Sequence, residues 1–212
     1  MLYYKSLFGA FGPQGWWPGR TRFEIITGAI LTQNTAWTNV EKAIWNLKSA
    51  RLLTPEKMRL APVSELSALI RPAGYFNVKA KRLKNFIAYL YEKHGGSLAR
   101  LFKRDAEALR AELLGVNGIG PETADSIILY AARRPEFVID AYTKRISTRH
   151  ALAPHDVGYD DLKALFTGSL PLDTRLFNEY HALIVKTGKD YCKRTNPRCC
   201  ECPLGAFLKD SE

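Results

Sequence analysis

The sequence predicts an all-α protein. Apolar residues recur at helical spacing from about residue 20 to residue 190, strand-like alternation between hairpin turns is nearly absent, and 46% hydrophobic residues in a chain of 212 suffice for one or two cores. Thr38-Asn39-Val40-Glu41 reads as a capping box, followed by Val40, Ala43, Ile44 and Leu47 on one helical face, with Trp45 assigned to structure on the same helix. Thr54-Pro55 reads as the N-cap and first residue of a short helix. Asn77 is placed to cap a long helix whose buried stripe is Leu83, Phe86, Ile87 and Leu90, whose other face is basic through Lys79, Lys81, Arg82 and Lys84, and which Gly95-Gly96 stops. Asp105 opens a helix that ends at Gly115, and Asp173 opens another, with Leu176, Phe177, Tyr180, Leu183 and Ile184 inward before Gly188. No internal repeat or long linker separates these elements.

Lys and Arg number 31 against 21 Asp and Glu, a formal charge of +10, which makes a polyanion the natural partner. No stretch has the length and apolarity of a membrane span, and the N-terminus lacks a signal-peptide cleavage pattern, so a cytoplasmic protein without a membrane partner is expected. All four cysteines, Cys192, Cys199, Cys200 and Cys202, fall within eleven residues near the C-terminus. That clustering reads as metal or iron-sulfur ligation rather than a disulfide framework.

The most informative stretch is Leu113-Leu114-Gly115-Val116-Asn117-Gly118-Ile119-Gly120-Pro121-Glu122-Thr123-Ala124, where one helix ends, a glycine hairpin follows and Pro121 begins another helix. Glycines at 118 and 120 permit positive φ and close backbone approach, so that successive N–H groups can converge on a phosphate oxygen. By itself Gly-x-Gly is equally an ordinary turn between helices. Phe137-Val138-Ile139-Asp140 follows about twenty residues later, Ile30-Leu31-Thr32-Gln33-Asn34-Thr35 precedes it, and the cysteines are spaced Cys192-x6-Cys199-x2-Cys202.

In this order the four segments resemble the endonuclease III, or helix-hairpin-helix, superfamily of DNA glycosylases, whose hairpin of pattern Leu-x-Gly-Val-Gly is followed by an essential aspartate. The resemblance implies two helical lobes: residues 22–133 as a barrel of helices carrying the hairpin, and residues 1–21 with 134–212 carrying the aspartate and a C-terminal iron-sulfur loop. It implies double-stranded DNA containing a damaged base as partner of a monomeric enzyme. Asp140 would serve glycosidic bond cleavage, Gln33 would wedge the duplex, and Asn117, Gly118, Ile119 and Gly120 would grip the backbone, with the base entering between the lobes. Lys144, one turn beyond Asp140, reads as a solvated or phosphate-contacting residue.

Members that also nick the strand carry a lysine two residues after the last hairpin glycine, where this chain has Glu122. A carboxylate forms no Schiff base, so a monofunctional hydrolase is expected. Gly15-Trp16-Trp17-Pro18, Thr35-Ala36-Trp37 and the segment Arg71 to Lys81 are similar to the bacterial 3-methyladenine DNA glycosylase III branch, which implies Trp16, Trp17, Pro18, Trp37, Gln33 and Glu122 around an alkylated purine. The cationic base suits an electron-rich aromatic slot. Lobe packing by the tryptophans is the other reading of the same residues. Oxidised, deaminated or mismatched bases stay open as substrates, with or without lyase activity, as does a non-catalytic DNA-binding module. The superfamily's fourth cluster ligand falls here on Leu208, so a 4Fe-4S cluster held by Cys192, Cys199, Cys200 and Cys202 is the expectation. An incomplete site or zinc are the alternatives, and the 3-methyladenine branch itself lacks a cluster.

Overall fold

The computed structural model describes residues 1–16 and 19–208; the expected roles of Trp17 and Pro18 lie outside the described residues. Every regular element among the described residues is helical. They are α1 Leu2–Phe11, α2 Arg22–Leu31, α3 Trp37–Ser49, α4 Pro55–Leu60, α5 Val63–Leu69, α6 Phe76–His94, α7 Leu98–Leu101, α8 Ala106–Leu114, α9 Pro121–Ser126, α10 Ala141–Arg149, α11 Tyr159–Ser169 and α12 Thr174–Asp190. Short 3-10 turns occupy Arg71–Ala73, Cys199–Glu201 and Gly205–Phe207, and a π turn, Ile127–Ala131, continues α9. None of the described helices is long and apolar enough to cross a membrane. The chain divides into two compact units, Met1–Trp16 with Pro135–Glu212, and Trp17–Arg134.

In the unit of α2 to α9, α2 is buried almost all round, as its sequence RFEIITGAIL requires. Its one buried acid, Glu24, is answered by Lys48 at 2.6 Å. Leu47 of α3, Leu66 of α5 and Leu83, Phe86 and Leu90 of α6 are buried in the same unit. Thr54 and Asp105 cap as expected, accepting from Lys57 N and Ala108 N, and Pro55 stands in the first turn. Gly95 closes α6 in the left-handed region at φ 56°.

Three local expectations are corrected in this unit. α3 begins at Trp37 with Ala36 at the cap. Glu41 accepts from Trp37 Nε1 at 3.0 Å, so a capping box does not form at Thr38. Asn77 lies inside α6, whose cap is Tyr75 at φ 45°. The first turn is anchored by Lys79, fully buried, with Nζ donating to Leu31 O at 2.9 Å and Ala73 O at 2.8 Å. Burial lowers its pKa to about 8. Trp45 is 68% exposed and so is no part of the core.

The other unit packs α1 and α10 on α12. Phe137 stacks on Phe166 with ring centroids 4.3 Å apart and meets Phe177 and Tyr180 edge-on. Asp173 caps α12 by accepting from Leu176 N. Gly188 does not stop α12 but lies within it, where any Cβ would stand 2.3 Å from Cδ1 of Tyr142. The glycine there serves close approach of α10 to α12, and Gly188 O accepts from Arg145 Nη2 at 3.1 Å.

Candidate functional site

The hairpin is built on a buried ion pair. Arg110 of α8 donates through Nε to Oδ1 of fully buried Asp125 in α9 at 2.7 Å, which ties together the helices on either side of the turn. Val116 and Ile119 are buried and plug the turn into the core, while Asn117 and Gly120 face outward. Gly118 sits at φ 95° and any Cβ there would stand 2.3 Å from Cγ of Arg82, so its glycine is required twice over. Gly120 differs from the expectation of positive φ. It is extended at φ −96°, ψ 179°, and a Cβ there would meet nothing within 4 Å. Pro121 then opens α9, whose N-terminus no side chain caps.

Gln33 is bound to this hairpin. Its Nε2 donates to Gly118 O at 3.0 Å and to Thr123 Oγ1 at 2.9 Å, and its Oε1 accepts from Arg82 Nη1. It is thereby tied to the hairpin, where the sequence suggested a wedge aimed at DNA. Asn85 Nδ2 donates to Asn117 O at 3.0 Å. Lys81, Arg82, Asn85, Asn117 and Gly118 line an open groove of about 550 Å³. The expected basic face of α6 is largely taken up by the protein's own acceptors: Lys79 as above, Arg82 on Gln33, and Lys84 donating to the carbonyls of Met58 and Arg59. Glu122 is exposed in the first turn of α9, and Trp37 of this unit stands at the start of α3.

In the other unit, Asp140 is the N-cap of α10. Its Oδ1 accepts from Thr143 N at 2.7 Å and from Thr143 Oγ1 at 2.9 Å. Oδ2 faces the Nε2 of His181 at 3.6 Å, ion-pair range rather than a hydrogen bond. Burial by itself would raise the carboxyl's pKa, but His181 and the Thr143 donors outweigh it and leave the carboxyl below the usual aspartate value. The Trp16 ring lies 6.3 Å from the ring of His181. Thr143 and His181 were not singled out in the sequence. Asp-x-x-Thr at a helix start could have signalled the first, whereas nothing local marks a histidine inside the apolar stripe of α12. Lys144 is exposed and donates to Val157 O at 2.8 Å.

Three of the four cysteines come together. Cys192, Cys199 and Cys202 line one cavity of about 20 Å³, room for a single water, with Leu208 on its wall. Cys200 is exposed and absent from that cavity, which corrects the expectation of four converging thiols. The reason is local: in the 3-10 turn Cys199–Glu201, adjacent side chains point about 120° apart. Among the described residues no three His, Cys, Asp or Glu side chains are arranged to hold a single metal ion. Arg149 donates to Cys192 Sγ at 3.2 Å and to the carbonyls of Lys193 and Arg194, and Arg145 to Cys192 O, so α10 anchors the loop.

Residues 27–171 match the family described as HhH-GPD superfamily base excision DNA repair protein, and the chain belongs to that superfamily. It is 48% identical over 211 residues to the DNA repair glycosylase candidate MJ1434 of Methanocaldococcus jannaschii, with 98% of this chain and 95% of that protein covered. It is 30% identical to the endonuclease III of Thermotoga maritima, over 89% of this chain and 81% of that one. Its fold matches the crystal structure of the H. pylori 3-methyladenine DNA glycosylase bound to 1,N6-ethenoadenine with a TM-score of 0.78, at 28% identity over 89% of this chain and 96% of that one. The protein is thus an endonuclease III-like DNA N-glycosylase, similar to the 3-methyladenine glycosylase III branch.

Proposed function

We propose that the protein is a monofunctional glycosylase that releases an alkylated purine, of the 3-methyladenine type, from double-stranded DNA. The observation that carries the reading is Asp140, a largely buried carboxylate held ionised, about twenty residues beyond a hairpin followed by Glu122 where strand-nicking relatives carry lysine. Exposed Asn117 and Gly120 and the uncapped start of α9 suit a phosphate, which positions DNA without reading its sequence. As the glycosidic bond breaks, positive charge develops on the sugar, and Asp140 stabilises it and orients the attacking water. An alkylated purine leaves readily, so no strong general acid is needed, and its charge favours an aromatic partner such as Trp16.

The C-terminal loop suits a 4Fe-4S cluster in donor chemistry at three positions. Cys192, Cys199 and Cys202, which share one cavity, would supply three of its thiolates. The cluster would brace the loop; bond cleavage needs no electron transfer. Anaerobic purification with iron and sulfide analysis tests this, and protein free of iron removes the cluster from the reading.

The activity test is incubation with DNA methylated by dimethyl sulfate, with chromatography of released bases and borohydride trapping in parallel. Release of methylpurines without a trapped adduct is expected. An efficient covalent adduct overturns the monofunctional reading, and release of uracil or 8-oxoguanine in place of methylpurines overturns the substrate.

A further inference from the structure

The Asp140 carboxylate has two unlike halves. Oδ1 is committed to α10, taking both the backbone and the hydroxyl of Thr143. Oδ2 is the half turned to His181, and His181 is itself buried, presented from α12 rather than from the segment that carries the aspartate. A cap needs only the first contact. An apolar stripe with Phe177, Tyr180, Leu183 and Ile184 buried gains nothing from an imidazole unless its nitrogen has work to do.

We propose that His181 is a positioning residue for Asp140, holding Oδ2 in place while Thr143 holds Oδ1, so that the carboxylate meets the sugar in one fixed orientation. The proposal rests on the catalytic reading of Asp140 and adds to it the group that keeps the acid ionised in a site from which water is largely excluded. The other titratable groups around His181 are directed elsewhere. From α10, Lys144 donates to Val157 O and Arg145 to the carbonyls of Cys192 and Gly188. On α12, Glu179 accepts from the backbone of Gln14 and Gly15, and Lys186 pairs with Asp190. From α1, Tyr4 packs edge-on to Tyr180, and Tyr3 is directed to His150. The segment after α1 brings Trp16, an uncharged ring. Asp140 is a carboxylate that His181 meets at ion-pair range, 3.6 Å.

The consequences separate this role from simple packing. With the imidazole removed, burial acts on the carboxylate with only Thr143 against it, so Asp140 titrates at higher pH and the acid limb of the rate profile moves up with it. His181→Gln keeps a donor in place of the imidazole; His181→Phe removes it. The test uses the full chain carrying 13C-labelled aspartate, with the Asp140 carboxyl resonance identified by its absence in Asp140→Asn. Its titration is followed by NMR, and single-turnover release of 3-methyladenine from methylated duplex DNA is measured across pH 3 to 8. Both variants are expected to titrate Asp140 at higher pH and to shift the acid limb the same way. His181→Phe should lose about tenfold or more in rate and His181→Gln less, with affinity for an abasic-site duplex within about twofold of wild type. An Asp140 resonance that titrates as in wild type, in whichever variant folds, overturns the proposal, and so does a shifted resonance with an unmoved acid limb. If Asp140→Asn still releases base, the catalytic reading fails and takes this role with it, while the NMR titration still reports whether the two side chains are coupled.

Discussion

Two helix starts in this chain share one backbone geometry and differ in what stands at the cap. Gly120 before α9 and Asp140 before α10 both sit at φ −96°, ψ 179°. Asp140 fills its helix start with its own carboxylate and is largely buried. Gly120 supplies no side chain and faces outward into open space. The same turn of backbone is thus closed in one case and left open in the other. An uncapped start carries partial positive charge and orphan N–H groups suited to an external anion. A start capped from within carries a negative charge held at a fixed point, suited to a cation that forms during reaction.

Exchanging the two kinds of cap breaks the comparison most sharply at Asp140. On the proposed function, Asp140→Asn keeps a cap that can accept from Thr143 N and removes the charge, so base release falls by about 10²–10³-fold or more, a loss in rate far larger than any loss of stability. Comparable single-turnover rates for variant and wild type would remove the carboxylate from the chemistry. The variant also has a pH signature. Because the folded-state pKa of Asp140 is depressed, its ionised form stabilises the protein above the unfolded aspartate value near 4, and that contribution disappears as pH falls through the folded value. The stability difference between wild type and Asp140→Asn should accordingly shrink as urea unfolding is repeated from pH 6 down to pH 3.

The open cap depends on the ion pair beneath it. Asp125→Ala leaves the Arg110 guanidinium without its carboxylate between α8 and α9, and should cost about 3 kcal/mol in urea unfolding. A loss below 1 kcal/mol would mean that the hairpin is held chiefly by Val116 and Ile119. A smaller and more diagnostic effect is expected from Gly120→Asp, which turns the open start into one of the closed kind. The new side chain should stabilise α9 by about 0.5 kcal/mol while weakening duplex binding roughly tenfold, for damaged and undamaged DNA alike, with a shallower salt dependence. Tighter or unchanged binding would show that no phosphate sits there. Smallest of all, Thr143→Val removes one of the two donors to Oδ1 and should cost about 1 kcal/mol of stability and a few-fold in rate; an unchanged rate would show that the backbone N–H suffices.

Much of the helix order was legible because caps act over three or four residues. Thr54, Asp105 and Asp173 each place an oxygen where the helix's own N–H groups need one. The same local rule failed where another group competed, within one turn or far along the chain. Glu41 answers Trp37, Lys79 reaches to Leu31 and Ala73, and Gly188 answers to Tyr142 rather than to the end of its helix. The cysteine spacing likewise told which residues could meet but not which of them face one another; adjacency in the chain set Cys199 and Cys200 on different sides of one turn.

By itself the sequence determined the all-helical class, the hairpin with its glycine at 118, and the proline start of α9. Each of these follows from backbone stereochemistry and from hydrogen bonds that close within a turn. Only the tertiary structure decided that Gln33 is bound to Gly118 and Thr123, that Cys200 stands apart from the other three thiols, and that His181 faces Asp140 across two helices. Those contacts join residues 41 to 90 positions apart or depend on how a loop folds back on α10 and α12. Helix packing sets them, and packing is a property of surfaces that meet only once the chain has folded.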